Sequence, residues 1–394
     1  MNAPRADLAK LRERRALILD GRTWAEVSLA ALGHNFHAIQ KHVGPGVAIC
    51  AVVKADGYGH GAVECAIALE SQGAQWLGVT NAAEGLALRG AGTKARILLM
   101  TGIWRGEEDE IVAENLTPTI WEAWQINALE RAASQRQSTL PVHLKIDTGM
   151  NRLGASLVAL PHLCETLSAC KHVALEGVST HFASAEVLDA EDAVRQMKAF
   201  EEGLTIVRSY GLRPPLVHMG NSAAMTARPE TWKTMVRPGI ALYGYSLPFT
   251  RGGGPASVAE LPLRPVLSWK TRVLTVKEVA TGQAVGYMGT FVTKEKSRIA
   301  VLPVGYADGY PRLLSNRARV IVGGEYAPVV GRVSMDLTIV DVTHIQDVAV
   351  GDEVVLIGKS NGKNVDAVEL ARWCETVPYE ILCGLSQRVP RVYF

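Results

Sequence analysis

Lys54 is the residue whose surroundings first indicate chemistry. It ends a short apolar run, Val47 to Val53, which is typical of a buried strand. A lysine at the end of such a strand can lose hydration, and its pKa can then fall from about 10.4 towards neutrality. Because only the neutral amine attacks a carbonyl group, this position favours a lysine that bonds covalently to a carbonyl compound. The ordinary alternative is a strand-end lysine whose ammonium group reaches solvent.

A glycine-spaced loop follows Lys54, and a helical stretch from Ala62 through Leu69 comes next. Gly57 and Gly59 carry no side chain, which would let the backbone pass close to a bound group. Strand, lysine, loop and helix together therefore indicate a segment that presents an amine at the edge of a sheet.

Short apolar runs recur along the chain, with helix-length stretches between most of them. They begin at 47, 76, 96, 117, 142, 175, 216 and 239 and read VAICAVVK, WLGVT, RILLMT, TPTI, VHLKID, LEGVSTHF, LVHM and GIALYG. Eight buried strands that alternate with helices predict an α/β fold, a parallel (β/α)8 TIM barrel of about 250 residues. The alternative is a doubly wound open sheet, although no GxGxxG motif follows the first strand.

A Gly- and Pro-rich stretch, RGGGPASVAELPLRP from Arg251, indicates a domain boundary. Beyond it, runs such as SWKTRVLTVKEV, SRIAVLPV and DEVVLIGK predict strands joined by turns, and only VDAVELARWCETV predicts a helix. We therefore expect an N-terminal tail over residues 1–20, a barrel over 21–250 and a C-terminal mainly β domain over 251–394.

In a barrel of this kind the active site lies at the C-terminal ends of the strands. The polar residues expected at those ends are Lys54, Lys145, Asp147, His181, Asn221, Ser222 and Arg237. Taken singly, each has an ordinary structural explanation: a satisfied barrel lysine, a core histidine, a helix cap or a surface ion pair. Their shared position at one rim favours a functional site.

Composition excludes several classes of protein. The chain has 394 residues, of which 48% are hydrophobic, and a net charge of +2, so nothing favours a nucleic-acid partner. No apolar run is long enough to span a membrane and no secretory signal is evident, so we expect a cytoplasmic protein. The six cysteines form no CxxC pair, and His143, His181 and His218 are too scattered in sequence to suggest a metal site.

The segment AVVKADGYGHGA around Lys54 resembles the cofactor-lysine signature of the alanine racemases, fold-type III enzymes that use pyridoxal 5'-phosphate (PLP). HLKIDTGMNRLG at 143, STHFA at 179, GNSAA at 220 and VRPGIALYG at 236 resemble further motifs of that family. The resemblance extends from about Arg22 to Arg391. It implies PLP-dependent interconversion of L-alanine and D-alanine, with D-alanine supplied for peptidoglycan.

By this resemblance, Lys54 binds PLP covalently, and Arg152 reaches the phenolic oxygen of PLP and the carboxylate of an amino-acid substrate. The lysine that matches Lys145 is often carbamylated in the family, which would turn a cation beside Arg152 into an anion. The other cofactor-binding residues that the resemblance implies are Tyr58, His181, Asn221, Ser222, Arg237, Gly239, Ile240 and Tyr379.

The resemblance places Arg237, supported by His181, against the pyridine nitrogen of PLP. Because an arginine is protonated at any ordinary pH, it can only donate a hydrogen bond to that nitrogen and disfavours a second proton there. Electron withdrawal by the ring is then weaker, so transamination should be suppressed while proton exchange at Cα continues.

Racemisation needs a proton donor and acceptor on each face of Cα, and one lysine does not readily serve both. Tyr287, in AVGYMGTF, resembles the family's second catalytic group, which acts opposite Lys54 in the site of the partner subunit. Met335 and Asp336, in VSMDLT, resemble residues on the substrate side, and Tyr306, in VGYADG, resembles part of the entrance. A homodimer with shared active sites is implied. The structural alternative for Tyr287 is a strand tyrosine on a half-buried face.

The chain departs from the family pattern around Tyr287. The family usually shows V-S-Y-G-x-T, whereas here Gly286 precedes the tyrosine and Met288 follows it. A broad-specificity amino-acid racemase of the same fold therefore stays open as an alternative. A fold-related decarboxylase would be expected to place a carboxylate, not Arg237, at the pyridine nitrogen. A PLP-binding barrel with a homeostatic role would lack the β domain.

Overall fold

The computed structural model describes residues 21–394, so the tail expected over residues 1–20 lies outside the described residues. The described chain divides into two compact units. Residues 30–57 and 62–264 form one of them, which we call the barrel unit. Residues 21–29, 58–61 and 265–394 form the other, which we call the β unit.

Eight parallel strands form the sheet of the barrel unit. After β1 (Thr23–Val27), which pairs in the β unit, they are β2 (Ala48–Val52), β3 (Trp76–Val79), β4 (Arg96–Leu99), β5 (Thr117–Ile120), β6 (Leu140–Lys145), β7 (Val173–Ser179), β8 (Leu216–His218) and β9 (Met235–Val236). Their spatial order is β8-β7-β6-β5-β4-β3-β2-β9. Backbone hydrogen bonds from Thr234 to Val217 (3.1 Å) and from Arg237 to Gly220 (2.8 Å) connect the two ends of this sheet. The sheet is a nearly closed barrel, which confirms the predicted (β/α)8 fold.

Helices follow most of these strands. They are α1 (Leu29–Val43), α2 (Ala62–Ser71), α3 (Ala82–Gly90), α4 (Glu108–Ala113), α5 (Ala123–Gln135), α6 (Leu160–Ala169), α7 (Glu191–Ser209) and α8 (Ser222–Ala227). In α5, Ile126, Leu129 and Ala133 recur at helical spacing and are buried, so one apolar face packs inward. The helices are therefore amphipathic layers around the sheet.

Strand residues fill the barrel. Cys50, Trp76, Leu98 and Met235, from four different strands, form one buried cluster. Continuous burial along β3 and β5 explains why these strands read as unbroken apolar runs. The barrel is thus a packed core, and polar groups collect at the strand ends.

The run GIALYG at 239–244, expected to be the eighth strand, is not a strand. The eighth strand is the two-residue β9, and 239–244 forms turns in which the amides of Leu242 and Tyr243 donate to the carbonyls of Gly239 and Ile240. Gly239 to Tyr243 are nevertheless buried. The apolar composition of 239–244 correctly predicted that the segment is buried. A short apolar run does not, however, distinguish a strand from a buried turn.

A hairpin of β10 (Phe249–Arg251) and β11 (Gly254–Ala256) follows the barrel strands. The strands of the β unit are β12 (Leu267–Arg272), β13 (Thr275–Val279), β14 (Ala284–Val285), β15 (Phe291–Val292), β16 (Ser297–Leu302), β17 (Arg319–Val322), β18 (Glu325–Pro328), β19 (Thr338–Asp341), β20 (Glu353–Ser360), β21 (Lys363–Val365) and β22 (Arg391–Tyr393). β1 joins them, antiparallel to β12 and parallel to β22.

The β unit contains a seven-stranded sheet in the order β18-β17-β20-β12-β1-β22, with β21 beside β20, and a three-stranded sheet β13-β16-β19. Two short helices, α9 (Ala367–Trp373) and α10 (Pro378–Cys383), lie near the end of the chain. The predicted mainly β character is confirmed, although α10 was not anticipated. Among the described residues, no helix combines the length and apolar character needed to cross a membrane.

Candidate active site

We call the end of the barrel formed by the C-terminal residues of strands β2 to β9 the C-terminal rim. The opposite end is the N-terminal rim. Lys54 lies at the C-terminal rim, two residues after β2, and is half-buried. Behind it the backbone turns left-handed, with φ of 52° at Ala55, 53° at Asp56 and 61° at Gly57. The strand therefore stops abruptly at this lysine.

Arg237 lies at the same rim, one residue after β9, and is only 8% exposed. Its Nη1 donates to Nδ1 of His218 at 2.6 Å, and its Nη2 donates to the carbonyl of Thr180 at 2.7 Å. A weaker contact of 3.4 Å joins Nη2 to Nδ1 of His181. His218, and not the expected His181, is thus the nearer histidine partner of Arg237.

The arginine determines the tautomers of two buried histidines. A guanidinium only donates hydrogen bonds, so Nδ1 of His218 accepts and its proton lies on Nε2. That Nε2 lies 2.9 Å from Nδ1 of His143, which must also accept. The proton of His143 is therefore on Nε2, directed at Oε2 of Glu176 at 3.6 Å, an ion-pair distance rather than a hydrogen bond. Donation runs in one direction, from Arg237 through His218 and His143 towards Glu176.

The two histidines of this hydrogen-bonded series, His143 and His218, are held neutral. Burial lowers the pKa of His143 and outweighs its contact with Glu176. Burial and then the charge of Arg237 lower the pKa of His218 well below its ordinary value. Burial also lowers the pKa of Arg237, to about 10, which leaves the guanidinium protonated at neutral pH. The guanidinium is therefore the one cation among Arg237, His218 and His143, and Glu176, beyond His143, is itself paired with Arg96.

Cations dominate the C-terminal rim. Burial, followed by the charges of Arg237 and Arg152, lowers the pKa of Lys145 to about 8, and Lys54 adds to this effect. Burial and then Arg237 lower the pKa of His181 to about 3. Asp147 opposes this shift of the Lys145 pKa, but the repulsion between the cations outweighs it, and such repulsion is typical of functional sites.

Asp147 shapes the loop that carries Arg152. Its Oδ1 accepts from the amides of Gly149 (3.0 Å) and Asn151 (3.1 Å), and the loop returns to pair with the barrel where the Ala155 amide donates to the Lys145 carbonyl (2.8 Å). Arg152 is exposed on this loop. Asp147, expected only as a rim residue, is thus a structural acceptor for the loop.

Ser222 and the turn at 239–241 form a second polar feature of the rim. The Ser222 hydroxyl accepts from the amides of Gly239 (2.8 Å) and Ala241 (3.4 Å). Asn221 caps α8 through a hydrogen bond from the Ala224 amide (2.9 Å), which is the structural explanation named for it above. The amide of Ile240 makes no hydrogen bond within residues 21–394.

The remaining expected site residues belong to the β unit. The rings of Tyr58 and Tyr379 are 5.9 Å apart and tilted by 44°. Burial raises the pKa of the Tyr58 hydroxyl, and the neighbouring Tyr379 adds to this. The Tyr58 hydroxyl therefore stays protonated and can donate.

Tyr287 stands on a tight turn between β14 and β15 and is 71% exposed. Gly286 before it has φ 72° and ψ −169°, a conformation essentially confined to glycine, and Met288 after it has φ 64°. The tyrosine is thus not the half-buried strand residue that was its structural alternative. Two unusual backbone conformations present it outward.

Tyr306, Met335 and Asp336 lie on adjoining segments. The Tyr306 amide donates to the carbonyl of Ser334 (3.1 Å), and an Arg388 nitrogen lies 2.8 Å from Asp336. Tyr306, Met335 and Asp336 are all exposed. These side chains are therefore available to another molecule.

Sequence reasoning missed the pairing of His143 with His218. Although no group of three or more potential metal ligands occurs within residues 21–394, these two histidines are not scattered, because parallel strands bring them into contact. Gly177 was an available signal. A Cβ at Gly177 would approach His143 ring atoms to 2.6 Å, and a glycine inside a strand often marks such an approach.

Comparison with known proteins identifies the family. The models of the alanine racemase N-terminal and C-terminal domains match residues 27–247 and 266–393. An alanine racemase from Symbiobacterium thermophilum is 42% identical over 377 residues, 95% of this chain and 98% of the relative. The chain belongs to the alanine racemase family.

Solved structures of the family agree with this assignment. An alanine racemase from Streptomyces coelicolor A3(2) is 34% identical, with a TM-score of 0.88, over 94% of this chain and 98% of that one. One from Bartonella henselae, solved with covalently bound pyridoxal phosphate, is 29% identical with a TM-score of 0.84, over 95% of this chain and 100% of that one. The protein is thus an alanine racemase family enzyme that interconverts the enantiomers of alanine.

Proposed function

We propose that the enzyme binds PLP at the C-terminal rim and racemises alanine with two bases, Lys54 on one face of Cα and Tyr287 of the partner subunit on the other. The observation that carries the proposal is the cationic cluster of Lys54, Lys145, Arg152 and Arg237 at one rim. Such a cluster suits a dianionic phosphate and a substrate carboxylate.

The donors at the rim fit PLP. The buried Ser222 hydroxyl, which the Gly239 amide orients, and the amide of Ile240 offer uncharged donors for a phosphate, and the Ile240 amide has no partner within the described residues. Arg237 offers a donor and no acceptor, so it suits a ring nitrogen that stays unprotonated. When bound, PLP supplies an electron sink that makes the Cα–H of the amino acid acidic.

The chain's own groups perform the proton transfers. In the direction from L-alanine, Tyr287 removes the Cα proton and Lys54 delivers a proton to the opposite face; the reverse direction exchanges these roles. Arg152 orients the substrate carboxylate through paired hydrogen bonds. The strong exposure of Tyr287 in one chain supports a role in another subunit's site. Tyr58 and Tyr379 donate to the phosphate, His181 and Asn221 support the rim, and Met335, Asp336 and Tyr306 line the substrate path.

Carbamylation of Lys145 belongs to this proposal. The lowered pKa of about 8 leaves part of the amine neutral near pH 7, and a neutral amine adds CO2 to form a carbamate with loss of one proton. The resulting anion would face Arg152 and relieve the repulsion between the cations. Carbamylation makes a Lys145-containing peptide about 44 Da heavier, so the mass of that peptide checks this part of the proposal. An unmodified peptide from native enzyme counts against carbamylation.

Two measurements on the holoenzyme test the core of the proposal. Borohydride should fix a pyridoxyl group on Lys54, detected by peptide mapping. Tyr287→Phe should slow racemisation of L-alanine by about 10²- to 10⁴-fold, while exchange of the Cα proton of D-alanine with D2O persists. The matched control Tyr210→Phe, at the end of α7, should behave as wild type. Full-rate racemisation by the Tyr287 variant would refute the two-base scheme.

Mixing two inactive variants tests the shared sites. Reassembled dimers of Lys54→Ala and Tyr287→Phe chains carry one intact site if each site takes Tyr287 from the partner, so about a quarter of wild-type activity should return. No recovery from a mixture that has demonstrably exchanged subunits would show that both bases come from one chain.

A broad-specificity racemase is the second candidate. Met288 is 82% exposed beside Tyr287, where the family pattern has glycine, and it adds a flexible apolar side chain. The ratio of kcat/KM for L-serine to that for L-alanine, in wild type and in Met288→Gly, distinguishes the two. A ratio well below one that the substitution leaves unchanged favours the alanine-specific enzyme.

Supply of D-alanine for peptidoglycan, in the cytoplasm, completes the proposal. Its support is the product itself together with the family assignment. Loss of the gene should make a cell without a second racemase dependent on added D-alanine, and growth without it would refute this role.

A further inference from the structure

The backbone after Lys54 is held in an unfavourable conformation. Ala55 (φ 52°, ψ 53°) and Asp56 (φ 53°, ψ 45°) are left-handed, although both carry a Cβ. L-residues avoid this region because the Cβ approaches the following carbonyl oxygen, and consecutive examples are unusual. Such a segment persists only where the surroundings hold it, and it directly determines where the Lys54 side chain begins.

The carboxylate of Glu84, which lies on a different element, fixes this backbone segment. Its Oε1 accepts from the Ala55 amide at 2.8 Å, and its Oε2 accepts from the Thr80 amide at 2.6 Å. Ala55 follows β2 and Thr80 follows β3, so one carboxylate bridges two neighbouring strand ends. Glu84 is itself fixed in the first turn of α3, where its amide donates to the N-cap side chain of Asn81 (3.0 Å).

The same device occurs elsewhere without a functional neighbour. Oε1 of Glu70 accepts from the amides of Lys94 and Ala95, both at 2.7 Å. These amides precede β4 at the N-terminal rim. Glu70 is therefore a control at the rim opposite Lys54: it also accepts from two backbone amides, but through a single carboxylate oxygen.

We propose that Glu84 is a positioning residue for Lys54, which holds the left-handed turn so that the lysine amine is directed into the site. The proposal rests on the proposed function, in which Lys54 is the cofactor lysine and a base. Glu84→Gln keeps one acceptor but turns an NH2 group towards a backbone N–H, so one of the two bonds is lost and donors oppose each other. The turn should then open, and Lys54 should sample other positions.

Hydrogen exchange of the holoenzyme gives a readout independent of activity. Exchange at the Ala55 amide should be at least about tenfold faster in Glu84→Gln than in wild type, and unchanged in Glu70→Gln. Over the same variants, kcat for alanine should fall about 10- to 100-fold in Glu84→Gln with KM changed less than threefold, since the geometry of a reacting group is what is lost. Glu70→Gln can keep both of its bonds through the remaining oxygen, so kcat should stay at the wild-type value.

Relief of the backbone conformation should rescue the variant. Glycine adopts the left-handed region without steric cost, so Ala55→Gly reduces the need for the hold. In a Glu84→Gln background, Ala55→Gly should recover part of the lost kcat. A merely stabilising glutamate predicts the same recovery from a glycine at a remote left-handed residue, Gln137→Gly (φ 51°), whereas a positioning glutamate predicts that Gln137→Gly leaves the kcat of the Glu84→Gln variant unchanged.

The outcomes of these experiments distinguish this inference from the proposed function on which it rests. A pyridoxyl label on a lysine other than Lys54 in wild type would overturn the proposed function. Unchanged exchange at Ala55 in Glu84→Gln, or equal losses of kcat in Glu84→Gln and Glu70→Gln, would overturn the role of Glu84 alone.

Discussion

The two rims of the barrel treat charge in opposite ways. At the N-terminal rim Arg96, the first residue of β4, makes an ion pair with Glu176, and its guanidinium lies 4.1 Å from the centre of the Trp76 ring. At the C-terminal rim Lys145 lies among Arg237 and Arg152, and its pKa is depressed. The first rim pairs its arginine with a carboxylate and an aromatic ring, whereas at the second rim the charges of Arg237 and Arg152 lower the pKa of a neighbouring lysine.

Two hydrogen bonds lead from the C-terminal rim towards the N-terminal rim. Arg237 donates to His218 and His218 donates to His143, whose Nε2 lies 3.6 Å from the Glu176 carboxylate that pairs with Arg96. The comparison teaches that the position of Arg237 depends on buried groups that extend towards the other rim. Substitutions at each end should therefore separate activity from stability.

The largest expected effect follows removal of the lysine at the C-terminal rim. Lys54→Ala should lower kcat for alanine by at least about a thousandfold, since under the proposed function it removes both the covalent anchor and one base. Lys94→Ala, an exposed lysine before β4 at the other rim, should stay within about twofold. Steady-state kinetics of purified holoenzyme decide, and a Lys54 variant within tenfold of wild type would contradict the contrast.

Gly177→Ala should disturb both rims. The added Cβ would meet the His143 ring at 2.6 Å, so the ring must move away from His218. Overpacking of this kind costs about 1–3 kcal/mol of unfolding free energy, and the loosened Arg237 should lower kcat as well. Gly46→Ala, where no atom lies within 4 Å of the added carbon, is the control. Urea unfolding and steady-state kinetics of the same variant give the unfolding free energy and kcat. A loss of stability with unchanged kcat would show that His143 and His218 do not position Arg237.

Glu176→Gln should weaken the N-terminal rim in a pH-dependent way. Burial alone would raise the pKa of Glu176, but its contacts with His143 and Arg96 outweigh burial and lower it. A carboxyl with a lowered folded-state pKa stabilises the fold above its unfolded pKa of about 4.3, and that contribution disappears as pH falls through the folded-state value. We expect a loss of about 1–3 kcal/mol at pH 7 that shrinks towards zero in acid.

Because the folded-state pKa lies below the ordinary value, urea unfolding of the Glu176→Gln variant at pH 7, 4, 3 and 2 measures this dependence. Glu278→Gln removes an exposed partner of Lys296 and should leave the midpoint unchanged. A difference between wild type and Glu176→Gln that is constant across this pH range would mean that the carboxylate charge is not what stabilises the rim.

The smallest expected effect is a gain of stability. The folded-state pKa of Lys145, about 8, lies below its unfolded value of about 10.4, so protonated Lys145 destabilises the fold below pH 8 and ceases to do so as pH rises towards 10.4. In cofactor-free protein, Lys145→Met should therefore stabilise by about 1 kcal/mol at pH 7, and the gain should vanish by about pH 10. Chemical unfolding at both pH values checks it. A destabilised variant at pH 7 would mean that the C-terminal rim does not hold opposed cations.

Much of the barrel was predictable because its signals are local. Seven of the eight expected strands coincide with observed strands, since strands buried on both faces are rich in apolar side chains. The run at 239–244 failed because a buried turn has the same composition as a buried strand. Lys54 and Arg237 were recognisable because each follows such a run directly.

The contact of Glu84 with the backbone after Lys54, and the histidine contacts of Arg237, were not predictable in this way. Glu84 is 29 residues from Ala55, and His143 is 75 residues from His218. Nothing in the local pattern of Glu84 distinguishes it from Glu70, because both are helix glutamates whose carboxylates accept from backbone amides. Only their opposite positions along the barrel axis give them different roles.

Local chemistry is thus written in the order of residues: an amine at a strand end, a glycine-rich turn behind it, an arginine before a buried turn. Which histidine orients that arginine, which carboxylate holds the amine, and where the cations oppose one another depend on how eight strands align side by side. Strand register is a property of many weak contacts acting together, so a single segment cannot reveal it.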